Sequence, residues 1–118
     1  MRYICLVYFQ SEDLLRLNPY DRAALDHNSR AYDKELGTSG QLIVAEALRP
    51  TREAKTVRVR KGNISATDGP FLETNEILGG FILIKAADMD EAIQIAAGIP
   101  LAKFGSIEVR PVMIFDAR

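Results

Sequence analysis

The chain has 118 residues, 47% hydrophobic and 26% charged, and fifteen Lys plus Arg against sixteen Asp plus Glu leave a formal charge of −1. That balance excludes a disordered chain and a broad basic field for nucleic acid or anionic lipid, and no run approaches the ~18 apolar residues of a membrane span. Cys5 is the only cysteine and His27 the only histidine, which excludes an internal disulfide and a cysteine- or histidine-cluster metal centre.

The length fits one domain over 1–118, and the opening "MRYICLVYFQ" lacks a small-residue cleavage signal, so a cytoplasmic location is expected. Residues 2–9 read as a strand, with Tyr3, Cys5, Val7 and Phe9 on one face and Ile4, Leu6 and Tyr8 on the other. Cys5 reads as a small core residue. From about Tyr20 to Leu36 the period changes to that of a helix. Leu25, Ser29, Tyr32 and Leu36 form its apolar stripe, and Asp26, His27, Arg30, Asp33 and Lys34 its far side. Asn18-Pro19 supplies a cap and a first-turn proline, and Gly37 with Gly40 is expected to end it.

"QLIVAEAL", 41–48, reads as the second strand. "TVRVR" and "ISAT" follow as a hairpin about Lys61-Gly62-Asn63, where glycine and asparagine can take positive φ. "ILGGFILIKA" is apolar on both faces and reads as a central strand, with Gly79 and Gly80 marking a bulge or a close approach. Asp88-x-x-Glu91 is a capping box opening a helix whose stripe is Met89, Ala92, Ile93, Ala96 and Ala97. A final strand spans about Ser106 to Phe115, and Pro111 assigns it to a sheet edge or a bulge.

The order of elements predicts an α+β chain: a ferredoxin-like split βαβ with an inserted hairpin, its two helices on one face of an antiparallel sheet. Two helices leave the other face bare, yet the first strand and "FILI" are apolar on both. A second copy is the expected cover, giving a homodimer through the open sheet face. Leu6, Ile82 and Ile84, or their oppositely facing neighbours, would centre it.

"TDGPFLETNEILGGFILIKAADMDEAIQIAAGIP" followed by "GSIEVRPV", together with the strand-helix opening and "TVRVRKGNISATDGPF", resembles the DGPF subgroup of the YCII-related family over essentially the whole chain. The resemblance implies a dimeric α+β barrel of the ferredoxin-like kind and, from the wider family, small enzymes with a His-Asp pair whose histidine comes from the first helix. His27 lies on that helix, but about two places before the usual histidine, where this chain has Ser29.

Five side chains are the candidate site. Asp68 either bonds its own turn or, with His27, forms an acid-base pair; His27 otherwise faces solvent. Phe71 is a core or interface anchor or a pocket wall. Glu46 shares a strand face with Leu42, Val44 and Leu48, so it must pair, with Arg110 for instance, reach water or take up a proton. Arg110 could otherwise hold an anionic substrate group. Glu73 and Glu76 read as a solvated acidic rim. There is no phosphate loop, nucleophile motif or dinucleotide fingerprint. The expected function is a cofactor-independent enzyme doing proton transfer or elimination on a small organic molecule in a cleft between sheet and helices. The alternative is a non-catalytic dimeric ligand-binding or regulatory module.

Overall fold

The structure, a computed structural model, describes residues 1–115. Strands β1 (Arg2–Phe9), β2 (Leu42–Ala47), β5 (Ile77–Lys85) and β6 (Ser106–Pro111) form an antiparallel sheet in the order β2-β5-β1-β6. Helices α2 (Pro19–Thr38) and α3 (Met89–Ala97) link its halves, and a short α1 (Ser11–Leu15) precedes α2. This is the expected ferredoxin-like order, with β3 (Lys55–Arg60) and β4 (Asn63–Asp68) inserted as a separate two-stranded hairpin.

The core lies between the sheet and α2 and α3. Tyr3 and Cys5 on β1, Ile82 and Ile84 on β5, Leu36 on α2, and Ala92, Ile95 and Ala96 on α3 are all buried in one cluster. The register pairs Tyr3 with Ile84 and Cys5 with Ile82 across β1 and β5, while Ile4 faces Leu83 and Leu6 faces Phe81. Ile4, Leu6, Phe81 and Leu83 therefore belong to the open face. Grouping Leu6 with Ile82 and Ile84 is corrected by that pairing: the two isoleucines are on the helix side.

Both helices begin as their sequence directs. Asn18 Oδ1 accepts from the Asp21 amide at 2.7 Å, and Asp88 Oδ1 from the Glu91 amide at 2.9 Å. Glu91 reaches back to the Ala87 amide at 3.2 Å, one residue before the cap. Helix α2 runs through Gly37 to Thr38, and the left-handed turn falls at Gly40, whose φ is +80°. β6 is an edge strand, as Pro111 requires, and ends there; Val112 N–H donates to Arg2 O at 2.9 Å beyond it. In the hairpin turn the positive φ values fall on Lys61 and Gly62, and Asn63 already belongs to β4.

Two bulges set which side chains face which way. Gly79 is the extra residue where Val7 pairs with Gly80 but Tyr8 with Leu78, and a methyl there would strike the Phe9 ring at 2.0 Å. On β2, Leu42 pairs with Ile84 and Val44 with Leu83, so Ile43 is extra. Leu42 and Ala45 then pack toward the core, while Val44 and Glu46 share the open face. The single face expected for Leu42, Val44 and Glu46 is broken by that bulge.

The β3–β4 hairpin packs chiefly on itself and projects from the body as an arm. The molecule measures 47 × 46 × 19 Å with a radius of gyration of 16.4 Å, against about 13.5 Å for a compact domain of this length.

Candidate functional site

Between α2 and the sheet lies a cleft of about 150 Å³. Its floor is Val7 and Ile82 with Ala45, Ala47 and Gly80. Its roof is Ser29, Tyr32 and Asp33 of α2, and Ile99, Pro100 and Leu101 close one end. Small residues on the sheet leave the space: a methyl added at Gly80 would lie 2.9 Å from the Glu46 carbonyl oxygen. Ser29 and Asp33, one helical turn apart, line the same cavity.

Asp33 is the acid this cleft offers. It is half-buried, no hydrogen bond or ion pair from a described residue reaches it, and burial raises its carboxyl above the usual range. Tyr32 supplies a wall whose hydroxyl donates to Ile95 O at 2.5 Å, which fixes the ring. Its pKa is raised by burial and then by the nearby Glu35 and Cys5 charges. Asp33 was expected on the far side of α2. The polar character of Asp gave no hint of its orientation, although its spacing of four from Ser29 was readable.

The expected residues fall in several places. His27 is exposed, outside the cleft lining. The Asp68 side chain is 86% exposed and ion-paired with Lys55, its cross-strand neighbour on the arm. The structure does not bring His27 and Asp68 together within one protomer; Asp68 lies at the arm's root and is held by a local cation. Gly69 has φ +97°, its amide donates to Ala54 O at 2.8 Å and its carbonyl accepts from Thr56 Oγ1 at 2.9 Å, so "TDGPF" is a turn tied to the arm's base.

Phe71 is exposed, under the Arg58 guanidinium at 5.3 Å. It lines a second cavity, of about 350 Å³, with Tyr8, Leu48, Pro70, Leu72 and Leu78. Glu46 borders the first cleft, with its side chain exposed opposite Phe81. Arg110, on β6, sits opposite Ile4 and 4.0 Å from Glu108. Glu46 and Arg110 are on opposite edge strands, three interstrand steps or at least ~14 Å apart, so the expected pair does not form in the protomer. Glu76 is half-buried and accepts from Ser106 Oγ at 3.1 Å, so only Glu73 fits a solvated rim. Among the described residues no group of three His, Cys, Asp or Glu side chains could hold a metal ion, and no helix is long and apolar enough to cross a membrane.

The YCII-related domain pattern matches residues 1–116. The chain belongs to the YCII-related family. An uncharacterised protein of Rhizobium meliloti (strain 1021) is 39% identical to this YCII-related chain over 87 residues, 72% of this chain and 70% of that protein. A solved structure, 5-chloro-2-hydroxyhydroquinone dehydrochlorinase from Burkholderia phenoliruptrix AC1100 in complex with 2,5-dihydroxybenzoquinone, superposes with a TM-score of 0.55 at 16% identity. The match covers 96% of this chain and 94% of that one. At that identity the likeness establishes the α+β fold.

Proposed function

We propose that this YCII-related protein is a small enzyme that moves a proton or eliminates a group on a single-ring organic molecule, with Asp33 as acid or base. The observation that carries this is an unpartnered, half-buried carboxylate whose pKa is raised, set in the wall of a mostly apolar cleft. Cavities of about 150 Å³ take a benzene-sized ring. Ser29, where the wider family resemblance puts a histidine, would orient a ring oxygen. The reaction for which the solved neighbour is named, a dehydrochlorination, is an elimination, and that protein holds a dihydroxybenzoquinone, which agrees with this reading.

The acid-base role passes from the expected His27–Asp68 pair to Asp33. Glu46 touches the cleft's border through its backbone and carries its carboxylate on the open face, and Arg110 and Phe71 lie where a second protomer, rather than the cleft, would meet them. The reading includes no cofactor, a single domain over 1–118, membership of the DGPF subgroup on Asp68–Phe71, a homodimer through the open face, and a cytoplasmic site without nucleic-acid or membrane partners. A non-catalytic ligand-binding module is the second reading, favoured by the separation of His27 from Asp68.

The test is a panel of hydroxylated aromatics, quinones, small lactones and keto acids, followed for turnover and for solvent-deuterium exchange, beside thermal-shift binding. Turnover or exchange with one ring class, abolished in Asp33→Asn, supports the enzyme. Binding alone, unaffected by Asp33→Asn, sinks it in favour of the module.

A further inference from the structure

We propose that the β3–β4 arm is a clamp whose apolar face closes on a second copy of this chain, with the partner's arm closing in return. The inference rests on the homodimer reading above and adds the element that grips. Pairing of Val57 with Ala66 and Val59 with Ile64 puts aliphatic side chains on one face of the arm; Arg58 with Ser65 and Arg60 with Asn63 make the other face polar. Val57 and Ile64 are 62% and 77% exposed. A two-stranded hairpin with a bare apolar face is marginal in water and needs a further strand or another element packed on that face. The protomer provides little to cover it.

Surface area and charge both name the occupant. The chain exposes 8681 Å². A folded monomer of 13.1 kDa exposes about 6,400 Å², a surplus of roughly 2,300 Å². That surplus is what each partner of a large obligate dimer buries, well beyond the ~800 Å² per partner of a standard interface. The arm, residues 55–68, carries four Lys or Arg and one Asp, a charge of +3, so the remaining residues, with eleven and fifteen, carry −4. A second copy therefore offers an acidic body to a basic arm, and a two-fold axis makes each arm grip the other protomer reciprocally. Nucleic acid would answer the arm's cations, but neither the valine–isoleucine face nor the surplus area.

The test compares Ile64→Lys, on the apolar face, with Ser65→Lys, on the polar face, by light scattering across a dilution series. Hydrogen exchange of the arm amides is followed in the wild type. The expected result is a wild-type dimer, at least tenfold weaker association in Ile64→Lys, a change under twofold in Ser65→Lys, and arm amides that gain protection as protein concentration rises. A wild-type dimer unaffected by Ile64→Lys, with fast, concentration-independent arm exchange, overturns the clamp and leaves the dimer standing. A wild-type monomer at tens of micromolar removes both. Salt-sensitive binding of duplex DNA that Arg58→Ala abolishes, with Ile64→Lys leaving the mass unchanged, also overturns the clamp, in favour of a nucleic-acid ribbon.

Discussion

Helix α2 turns Asp33 toward an apolar wall, and burial there raises its carboxyl above the ordinary range near 3.9. The folded state thus prefers the neutral acid. Its contribution to stability is complete below the ordinary pKa and is lost as pH rises through the raised folded value. Asp33→Asn should therefore be more stable than the wild type at pH 7, with the gap closing toward pH 3.5, as read from urea midpoints at both pH values; a gap that widens in acid would reverse the assignment. The same variant should lose about 10²- to 10⁴-fold in turnover, the usual share of one acid-base group. Cys5 behaves in a related way: it is fully buried, and desolvation lifts its thiol to about 11. At pH 8 it should resist thiol reagents in the native protein and react once urea unfolds the chain. Fast native labelling would place it outside the core.

Strand and helix contacts explain which single changes the scaffold tolerates. A methyl at Gly105 would fall 1.9 Å from the Tyr8 carbonyl oxygen and 2.9 Å from the Phe9 Cα, and backbone cannot swing aside as a side chain can. Gly105→Ala should cost about 1–3 kcal/mol by denaturant midpoint at unchanged slope, whereas Asn18→Ala, which removes one cap bond, should cost about 1 kcal/mol. The elements themselves were readable because their cues are local. Short, nearly continuous apolar runs marked β1 and β5, Asn18-Pro19 and Asp88 marked helix starts, and Pro111 marked an edge. The stripe of Leu25, Ser29, Tyr32 and Leu36 does face the sheet. The bulge at Ile43 was not readable, because "LIVAE" has no glycine or proline there and only pairing with β5 reveals it. Asp33 escaped for a similar reason: outside α2 its environment is built by residues 12 to 68 positions away in sequence, from Ala45 to Leu101. The hairpin was legible as a hairpin, but its separation from the main sheet depends on long-range pairing that local sequence does not encode.

The whole molecule is a plate, one sheet and one helical layer thick, with an arm beyond its edge. Aliphatic side chains of β1 and β5 stand half-buried on the open side, and leaving such area in water costs ~25 cal/mol for each Å². Light scattering should accordingly give twice 13.1 kDa at micromolar concentration. A monodisperse species at the single-chain mass would mean that the two-faced strands tolerate solvent. Because the arm is basic and the body acidic, raising salt should weaken association, and a salt-independent mass would reduce the interface to its apolar part.

The extra residue in β2 acts on the strand as a frameshift acts on a reading frame. A strand is read in twos, and Ile43 moves every later residue into the other phase. In the unshifted phase Glu46 would stand opposite Gly80, and its carboxylate would fill the space that now forms the cleft. In the observed phase Ala45 and Ala47 stand there, and two methyl groups leave that space open. The capacity of the cleft is therefore set by a count of residues more than by their kind. A relative that lacked Ile43 would keep Ala45 and Ala47 where they stand, whereas one that kept all these residues and lost the bulge would turn Glu46 into the pocket.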